Sequence, residues 1–332
     1  MITKKLKVKN NCTIIIPSIN LNKEVKACID SCLSQKDIKI NIYLVTDKIV
    51  KKKYLPNKVR YLCFGSINMS EKRNRAVKLC RDKYIAFIDS DAAATNDWVV
   101  NGINILKKNK NIAIVTGPDL PFPNQKGWSK IIGLAHKSFL LSGSKVFRKN
   151  INKQVYCSQA SSCNMILVKK YFLKVNGMNE KIYIGEDIDL CDKIVKIKKI
   201  LYSPLVKIFH RTRNFIPFIF QRYAYGTSIE HIFSRGVFLN NIQFSIPFLI
   251  LIYFIFFPFF YILDFYFQIY ILSIIAFSTL VFFESLKISK NPIKIFKINI
   301  IIYISIFSFG FGSLMKFLGL TKNIKRSYTY RS

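Results

Sequence analysis

The sequence predicts an α/β fold with a mostly parallel sheet, followed by apolar helices of transmembrane length. Short β-branched runs alternate with helical stretches over the first two thirds of the 332 residues. That alternation is typical of a parallel sheet covered by helices on both faces. Apolar residues then concentrate after about Asn241, where long runs contain no charged residue. The chain therefore combines a water-soluble domain with a segment suited to a membrane.

The α/β part is predicted element by element from apolar runs and their spacing. The predicted strands are Cys12–Ile16, Ile40–Val45, Val59–Cys63, Tyr84–Ile88, Ile112–Thr116, Met165–Val168, Ile200–Tyr202 and Leu205–Phe209. The predicted helices are Glu24–Leu33, Ser70–Cys80, Asp97–Leu106 and Asp187–Val195, with Ser70 as an N-cap. Between Pro118 and Asn150, scattered prolines and glycines predict an irregular region over a pocket.

The C-terminal third contains three uncharged stretches. Ile242–Leu263 and Phe265–Phe283 are each long enough to cross a bilayer as a helix of about 20 residues, and they predict a hairpin. The lysines that follow predict a cytoplasmic loop. The third stretch, Ile298–Met315, is shorter. A full third crossing would place the basic C-terminal tail outside, so whether this stretch crosses or is re-entrant stays open.

The chain is strongly basic, with 52 Lys and Arg against 18 Asp and Glu and a formal charge of +34. Nucleic-acid binding does not fit, because the sequence has no base-reading helix, zinc-finger spacing or aromatic RNA-binding signature. Attraction to an anionic membrane fits better, although a genome rich in Lys, Ile and Asn explains the excess equally well. The eight cysteines form no C-x-x-C pair, which predicts reduced thiols in a cytosolic domain.

Polar residues follow several of the predicted strands, where open parallel sheets bind ligands. Asp89 and Asp91 come after a buried strand, and two such carboxylates need a positive partner, for which a divalent cation is suited. A turn role is the alternative. A second acidic group, Glu186 to Asp189, opens a helix and would serve either as caps or as a general base. His210 ends a strand and suits a metal, a phosphate or a structural role.

Together these motifs resemble the family-2 glycosyltransferases of the GT-A fold, from roughly Cys12 to Gly226. Thr13–Pro17 resembles the family's opening strand, which Asn20 follows, and Asp47 matches an acid that holds the nucleotide base. Arg73-Asn74 is similar to the family's Arg-Asn pair, and Tyr84–Asp91 resembles its strand and D-x-D element. The resemblance implies Asp91 as a metal ligand and Asp89 beside the ribose.

Later motifs extend the resemblance. Asn176–Glu180 is similar to the family's Gly-Gly-Phe-Asp-Glu turn. Glu186-Asp187 matches its Glu-Asp pair, which implies both as catalytic residues, with Asp187 as the base. His210 matches the histidine that closes the catalytic domain and implies a second metal ligand. Gln221-Arg222-Tyr223, with Gly226, is similar to the family's Q-x-x-R-W type segment.

The resemblance implies a nucleoside-diphosphate sugar donor, Mg²⁺ or Mn²⁺ as cofactor, and inversion at the sugar. The implied donor-binding residues are Pro17, Asn20, Asp47, Arg73, Asn74 and Asp89. The acceptor or a phosphate is expected at Arg211, Gln221 and Arg222. A metal-dependent nucleotidyltransferase and a non-catalytic membrane scaffold are the alternatives.

The expected organisation is a catalytic domain over residues 1–213, an interfacial amphipathic segment over 214–240, a transmembrane region over 241–320 and a basic tail over 321–332. The size of the domain and the short membrane region are similar to succinoglycan-type exopolysaccharide glycosyltransferases. That likeness implies a lipid-linked glycan acceptor, a multi-pass position in the cytoplasmic membrane, and a catalytic domain on the cytoplasmic side.

Overall fold

The computed structural model describes residues 11–143, 145, 151–228 and 245–321. These form two compact units, one from the described parts of 1–122 and 145–211, the other from those of 123–144 and 212–332. The expected amphipathic segment is therefore described only to residue 228, and the basic tail only at Thr321. The expected domain boundary near residue 213 stays a prediction.

The first unit is built on an eight-stranded sheet, with a three-stranded sheet beside it. Its strands are β1 (Asn11–Pro17), β2 (Lys39–Thr46), β3 (Val59–Cys63), β4 (Tyr84–Ile88), β5 (Ala92–Ala94), β6 (Ile112–Thr116), β7 (Asp119–Pro121), β8 (Val155–Cys157), β9 (Asn164–Val168), β10 (Lys199–Tyr202) and β11 (Ile208–His210). The large sheet has the order β3-β2-β1-β4-β9-β6-β10-β8. Only β9 and β8 run antiparallel to their neighbours in it. The prediction of a mostly parallel α/β sheet is confirmed.

The small sheet corrects one predicted strand. It has the order β5-β11-β7, and β11 runs antiparallel to β5 and parallel to β7. The strand predicted at Leu205–Phe209 is instead β11, because Pro204 and Leu205 form a turn closed by the backbone N–H of Val206 on the oxygen of Ser203. Leu205 is consequently exposed.

Helices cover both faces of the large sheet. Those of the first unit are α1 (Lys23–Leu33), α2 (Met69–Leu79), α3 (Trp98–Lys108), α6 (Lys169–Lys174) and α7 (Glu186–Val195). Side chains of successive strand residues point to opposite faces, so Ile14 and Ile16 pack with α1 and α3, whereas Ile15 packs with α2 and α7. The predicted N-cap Ser70 is wrong: Asn68 caps α2 by accepting from the N–H of Glu71, and Ser70 is buried inside the helix.

The second unit is helical in its described residues. It contains α4 (Gly127–Ala135), α5 (Phe139–Ser142), α8 (Phe215–Thr227), α9 (Ile246–Ile255), α10 (Phe257–Ile262), α11 (Asp264–Ile288) and α12 (Pro292–Phe317). The irregular region predicted between Pro118 and Asn150 is therefore wrong over α4 and α5. Ile131, Ile132 and Leu141 there pack into one apolar cluster with α8 and α12.

Two helices are long and apolar enough to cross a membrane, Tyr266–Ile288 and Pro292–Phe317. The first predicted span, Ile242–Leu263, lies outside the described residues over 242–244, and a break at Phe256 divides the rest into the shorter helices α9 and α10. The third stretch, predicted to be short, lies within the 26-residue α12. Half of the most apolar window of α12 is buried inside the protein, against 17% for α11.

Helices α8 and α12 pack backbone against backbone through glycine. A Cβ atom on Gly226 would lie 2.0 Å from the carbonyl oxygen of Phe309, and one on Gly312 would lie 2.1 Å from that of Tyr223. The hydroxyl of Ser313 donates to the carbonyl of Gly226 at 3.2 Å. Any larger side chain at these two glycines would force the helices apart.

Candidate active site

A buried lysine joins the ends of the first two strands. Lys72 is fully buried on α2, and its ammonium contacts both the carboxylate of Asp47 and the carbonyl oxygen of Ser18. The backbone N–H of Asp47 donates to the carbonyl of Ile19 at 3.0 Å, so the two loops also bond directly to each other. Asp47, predicted from the sequence, is thus held at the carboxyl edge of the sheet by a residue that the sequence did not single out.

Arg73 brings the two acidic groups together. Its guanidinium lies 2.8 Å from Oδ1 of Asp89 and 3.3 Å from Oε1 of Glu186. The side chain is only 3% exposed and lies over the ring of Phe87. Buried charges need partners of opposite sign, and Arg73 supplies one to both acids. The D-x-D strand end and the helix that begins at Glu186 therefore meet at one site.

Asn74 holds the turn that precedes the Glu-Asp pair. Its side-chain amide donates to the carbonyl of Met178 at 2.8 Å and to the carboxylate of Glu180 at 2.9 Å. Its Oδ1 accepts the N–H of Met178 at 3.0 Å. The turn passes through Gly177 at a φ of +65°, where a Cβ atom would come within 2.5 Å of Asn74. Asn74 is engaged by this turn, and its predicted contact with the donor stays a prediction.

Asp89, Asp91 and His210 form a group suited to a divalent cation. One ligand atom from each lies within 4.8 Å of the others. Nε2 of His210 is 3.1 Å from Oδ1 of Asp91, and the backbone N–H of Arg211 donates to the carbonyl of Asp91. Two carboxylates and an imidazole match the ligand preferences of Mn²⁺, and the carboxylates match those of Mg²⁺. The residues present therefore fit the cation that the sequence predicted.

A third acid lies on the other side of the imidazole. Nδ1 of His210 is 3.3 Å from Oδ1 of Asp119, which is fully buried at the start of β7. The thiol of Cys163 donates to Oδ2 of Asp119 at 3.5 Å. Burial lowers the pKa of His210, but the charges and hydrogen bonds of Asp119 and Cys163 together outweigh burial and raise that pKa well above its ordinary value. Burial raises the pKa of Cys163 to about 11.

The Glu-Asp pair opens α7 directly after Gly185, which has a φ of +85°. Burial, with the charge of Asp187, raises the pKa of Glu186 to about 7, although Arg73 opposes that rise. Asp187 accepts the backbone N–H of Ser162 at 3.3 Å through Oδ2, and its own helix's N–H at Ile188 through Oδ1. Asp189 instead pairs with Lys193 one turn away, at 3.0 Å.

Residues 13–172 of the chain match the model of glycosyl transferase family 2. The matched part, just under half of the chain, includes Arg73, Asp89 and Asp91 and ends before Glu186 and His210. An uncharacterized glycosyltransferase of Rickettsia bellii (strain RML369-C) is 26% identical over 207 residues, 59% of this chain and 29% of that protein. One of Rickettsia felis (strain ATCC VR-1525 / URRWXCal2) is 27% identical over 222 residues, 63% of this chain and 36% of that protein.

The chain thus spans about a third of the length of these two relatives. The matched family is one of glycosyl transferases, and both relatives are named as glycosyltransferases. Strands β2 to β9 lie within the matched residues, whereas β10 and β11 follow them.

The remaining predicted residues lie in different surroundings. Pro17 ends β1 and is buried, and Asn20 is exposed in the loop that follows. Arg211 is 56% exposed and forms an ion pair with Glu24. Gln221 and Arg222 belong to α8 in the second unit, where Gln221 donates to the hydroxyl of Tyr225 and Arg222 lies over the rings of Tyr225 and Phe309.

Sequence reasoning missed Lys72, Asp119 and Cys163 in the first unit. Asp119 follows β6 after Gly117-Pro118, so the strand-end rule that identified Asp91 would also have found it. No sequence rule marks Lys72 or Cys163, because neither periodicity nor spacing tells a buried lysine from an exposed one.

Proposed function

We propose that the chain is an inverting glycosyltransferase that moves a sugar from a nucleoside-diphosphate sugar to a hydroxyl of a lipid-linked glycan acceptor. The observation that carries this proposal is the pair of contacts from Arg73 to Asp89 and Glu186. Through these contacts, Asp89 at the end of β4 and Glu186 at the start of α7 share one arginine. The strand end is suited to a cation, and the Glu186-Asp187 pair is suited to proton removal. Both features are what a nucleotide-sugar reaction requires.

Different residues of the chain bind the donor, bind the cation and transfer the proton. Asp47, held by Lys72, faces the base of the donor, and Asp89 lies beside the ribose. Mg²⁺ or Mn²⁺, bound by Asp91 and His210, would neutralise the charge of the leaving diphosphate. Asp187 removes the proton of the acceptor hydroxyl. The resulting oxygen attacks the anomeric carbon on the face opposite the diphosphate, so the configuration inverts.

Glu186 orients this site and does not act as the base in our proposal. Its carboxylate is held by Arg73, which also holds Asp89. Asp187 is fixed by backbone N–H groups of Ser162 and Ile188, each bonding a different carboxylate oxygen. These bonds set the direction of the Asp187 carboxylate while leaving further lone pairs for an acceptor hydroxyl.

The helices of the second unit support attachment to the cytoplasmic membrane. On α11, Leu272 is 65% and Ile275 is 55% exposed, within a 23-residue apolar stretch. A contiguous apolar surface of this kind needs a cover in water, and lipid supplies it. The lysines after α11 favour a cytoplasmic loop. An enzyme held there is suited to a lipid-linked acceptor and to cell-surface polysaccharide synthesis.

Release of free nucleoside diphosphate from a panel of nucleotide sugars tests the proposal. Detergent-purified full chain with Mn²⁺ is expected to turn over one donor of the panel, and Asp91→Ala is expected to lose that turnover. Asp30→Asn is the matched control, because Asp30 is an exposed acid on α1 outside the site. No turnover of any donor, or equal turnover in Asp91→Ala and Asp30→Asn, would overturn the assignment.

The stereochemistry is tested separately on the product. Proton NMR of the first-formed glycoside should show the anomeric configuration opposite to that of the donor. A product that keeps the donor's configuration would overturn inversion and the role of Asp187 as base, while leaving glycosyl transfer itself in place.

A further inference from the structure

His210 lies between two carboxylates, one on each ring nitrogen. Nε2 is 3.1 Å from Asp91, in the group suited to a cation, and Nδ1 is 3.3 Å from Asp119. An imidazole binds a metal through a nitrogen that carries no proton, so the other nitrogen must carry it. The partner of that second nitrogen therefore decides which ring nitrogen is available to the metal.

The small sheet fixes Asp119 against this histidine. β7 and β11 run parallel, with Asp119 in register with Ile208, two residues before His210. The Asp119 side chain is fully buried, and its second oxygen accepts the thiol of Cys163 at 3.5 Å. A buried carboxylate is costly without partners. Here both carboxylate oxygens face a possible proton donor, one on Cys163 and one on His210.

We propose that Asp119 is a positioning residue that keeps the proton on Nδ1 of His210 and so presents Nε2 to the cation held by Asp91. The inference rests on the cation site of the proposed function. A carboxylate behind a ligating histidine fixes the ring and raises the basicity of the ligating nitrogen. Asp119 itself binds neither donor nor metal.

A second metal site is the competing use of the same residues. Asp119, Cys163 and His210 also offer three ligand atoms within 4.8 Å of one another. Two sites would need His210 to bind one metal through each nitrogen at once, with no proton left on the ring. Nε2 of His210 contacts Asp91, whereas Nδ1 contacts the buried Asp119. This arrangement favours one metal per chain.

Binding of Mn²⁺ alone to the purified full chain tests this inference without any sugar donor. Pulsed electron paramagnetic resonance of bound Mn²⁺ should show the nitrogen coupling of a directly bound imidazole, and His210→Ala should lose it. Asp119→Ala should weaken Mn²⁺ binding by about 10- to 100-fold and reduce that coupling. Asp119→Asn should fall between, because its amide oxygen still accepts from Nδ1 but carries no charge. Asp30→Asn should match the wild type.

Three outcomes would overturn the inference. One is Asp119→Ala or Asp119→Asn binding Mn²⁺ as tightly as wild type with the nitrogen coupling unchanged. Another is wild-type protein that shows no nitrogen coupling. The third is two Mn²⁺ per chain with one lost in Cys163→Ala, which would establish the second metal site. If Asp119→Ala does not fold, Asp119→Asn decides. A chain that binds Mn²⁺ as expected but turns over no donor would contradict the proposed function and leave this inference standing.

Discussion

At the scale of single residues, the site depends on charges buried against one another. Lys72 is fully buried, and the side chain of its partner Asp47 is 10% exposed. Breaking such a pair leaves an uncompensated buried charge, which is strongly destabilising. The pair therefore matters to the fold as well as to the position of Asp47.

Replacing Lys72 by methionine should lower the free energy of unfolding by about 3 kcal/mol, because Asp47 then loses its cation. Chemical denaturation of the detergent-purified chain measures the change. Lys78→Met, an exposed substitution on the same helix, serves as the control. Equal stability of Lys72→Met and Lys78→Met would show that the ion pair contributes nothing.

Glu186 gives a prediction about pH. Its pKa is raised in the folded protein from 4.5 to about 7, so folding favours the protonated carboxyl. The stabilisation from that proton is complete below about pH 4.5 and is lost as the pH rises through about 7. Glu186→Gln, which cannot ionise, should therefore match the wild type near pH 5 and exceed its stability by roughly 2 to 3 kcal/mol near pH 8.5.

The melting temperatures of wild type and Glu186→Gln, measured at about pH 5 and about pH 8.5, test this pH dependence of stability. The control is Glu71→Gln, on α2, where the acid pairs with Arg75 at the surface. A stability gain in Glu186→Gln that does not change with pH would contradict the raised pKa.

The residues of the site were predictable to different degrees. Asp89, Asp91 and the Glu186-Asp187 pair were singled out because acids at strand ends and helix starts follow simple rules, and their roles stay predictions. Arg73 could be matched by resemblance, but its contact with both acids depends on tertiary structure. Lys72 looks like one more lysine in a lysine-rich chain, and only the packing of α2 shows that it is buried.

At the scale of elements, the longer strands were predicted closely because they are continuous apolar runs, whereas the three-residue strands β5, β7 and β8 were not predicted. Val59–Cys63, Tyr84–Ile88 and Ile112–Thr116 have the predicted bounds. Helices α4 and α5 were missed because short helices gain most of their stability from tertiary packing. Their partners in the second unit are distant in sequence, so local spacing gave no signal.

The contact between α8 and α12 gives a prediction at this scale. Gly226→Ala should destabilise the second unit by about 1 to 3 kcal/mol, because the new methyl group would overlap the carbonyl of Phe309. Ile216→Ala, at an exposed position of α8, is the control. Denaturation of both variants in detergent compares them, and a Gly226→Ala protein as stable as Ile216→Ala would contradict the close packing.

At the scale of the whole molecule, the change from mixed to apolar composition predicted apolar helices of transmembrane length but not their bounds. Phe265–Phe283 corresponds to the core of α11, whereas the first stretch is broken and the third is longer than expected. Uncharged runs show which residues tolerate lipid, and they do not show where a helix begins or ends. Proline at position 258 and the packing of α12 decide those bounds.

The side of the membrane on which each loop lies can be measured. Ser289→Cys, between α11 and α12, should react with a membrane-impermeant maleimide in inside-out vesicles and remain unlabelled in intact spheroplasts, because lysine-rich loops stay cytoplasmic. The exposed Cys63 is first replaced by serine in all variants. Labelling of Ser289→Cys from outside would reverse the proposed orientation. Thr321→Cys tests whether α12 crosses the membrane. It should be labelled from the side opposite to Ser289→Cys only if α12 crosses.

The most direct test of the account is acceptor-dependent sugar transfer by wild type, Asp187→Asn and the control Asp30→Asn. If Asp187 is the base, Asp187→Asn should lower kcat by about 100-fold or more while the KM for the donor stays near the wild-type value. Asp30→Asn should keep both constants. Transfer by Asp187→Asn at the wild-type rate would contradict the account, because the Glu-Asp pair would then have no part in proton removal.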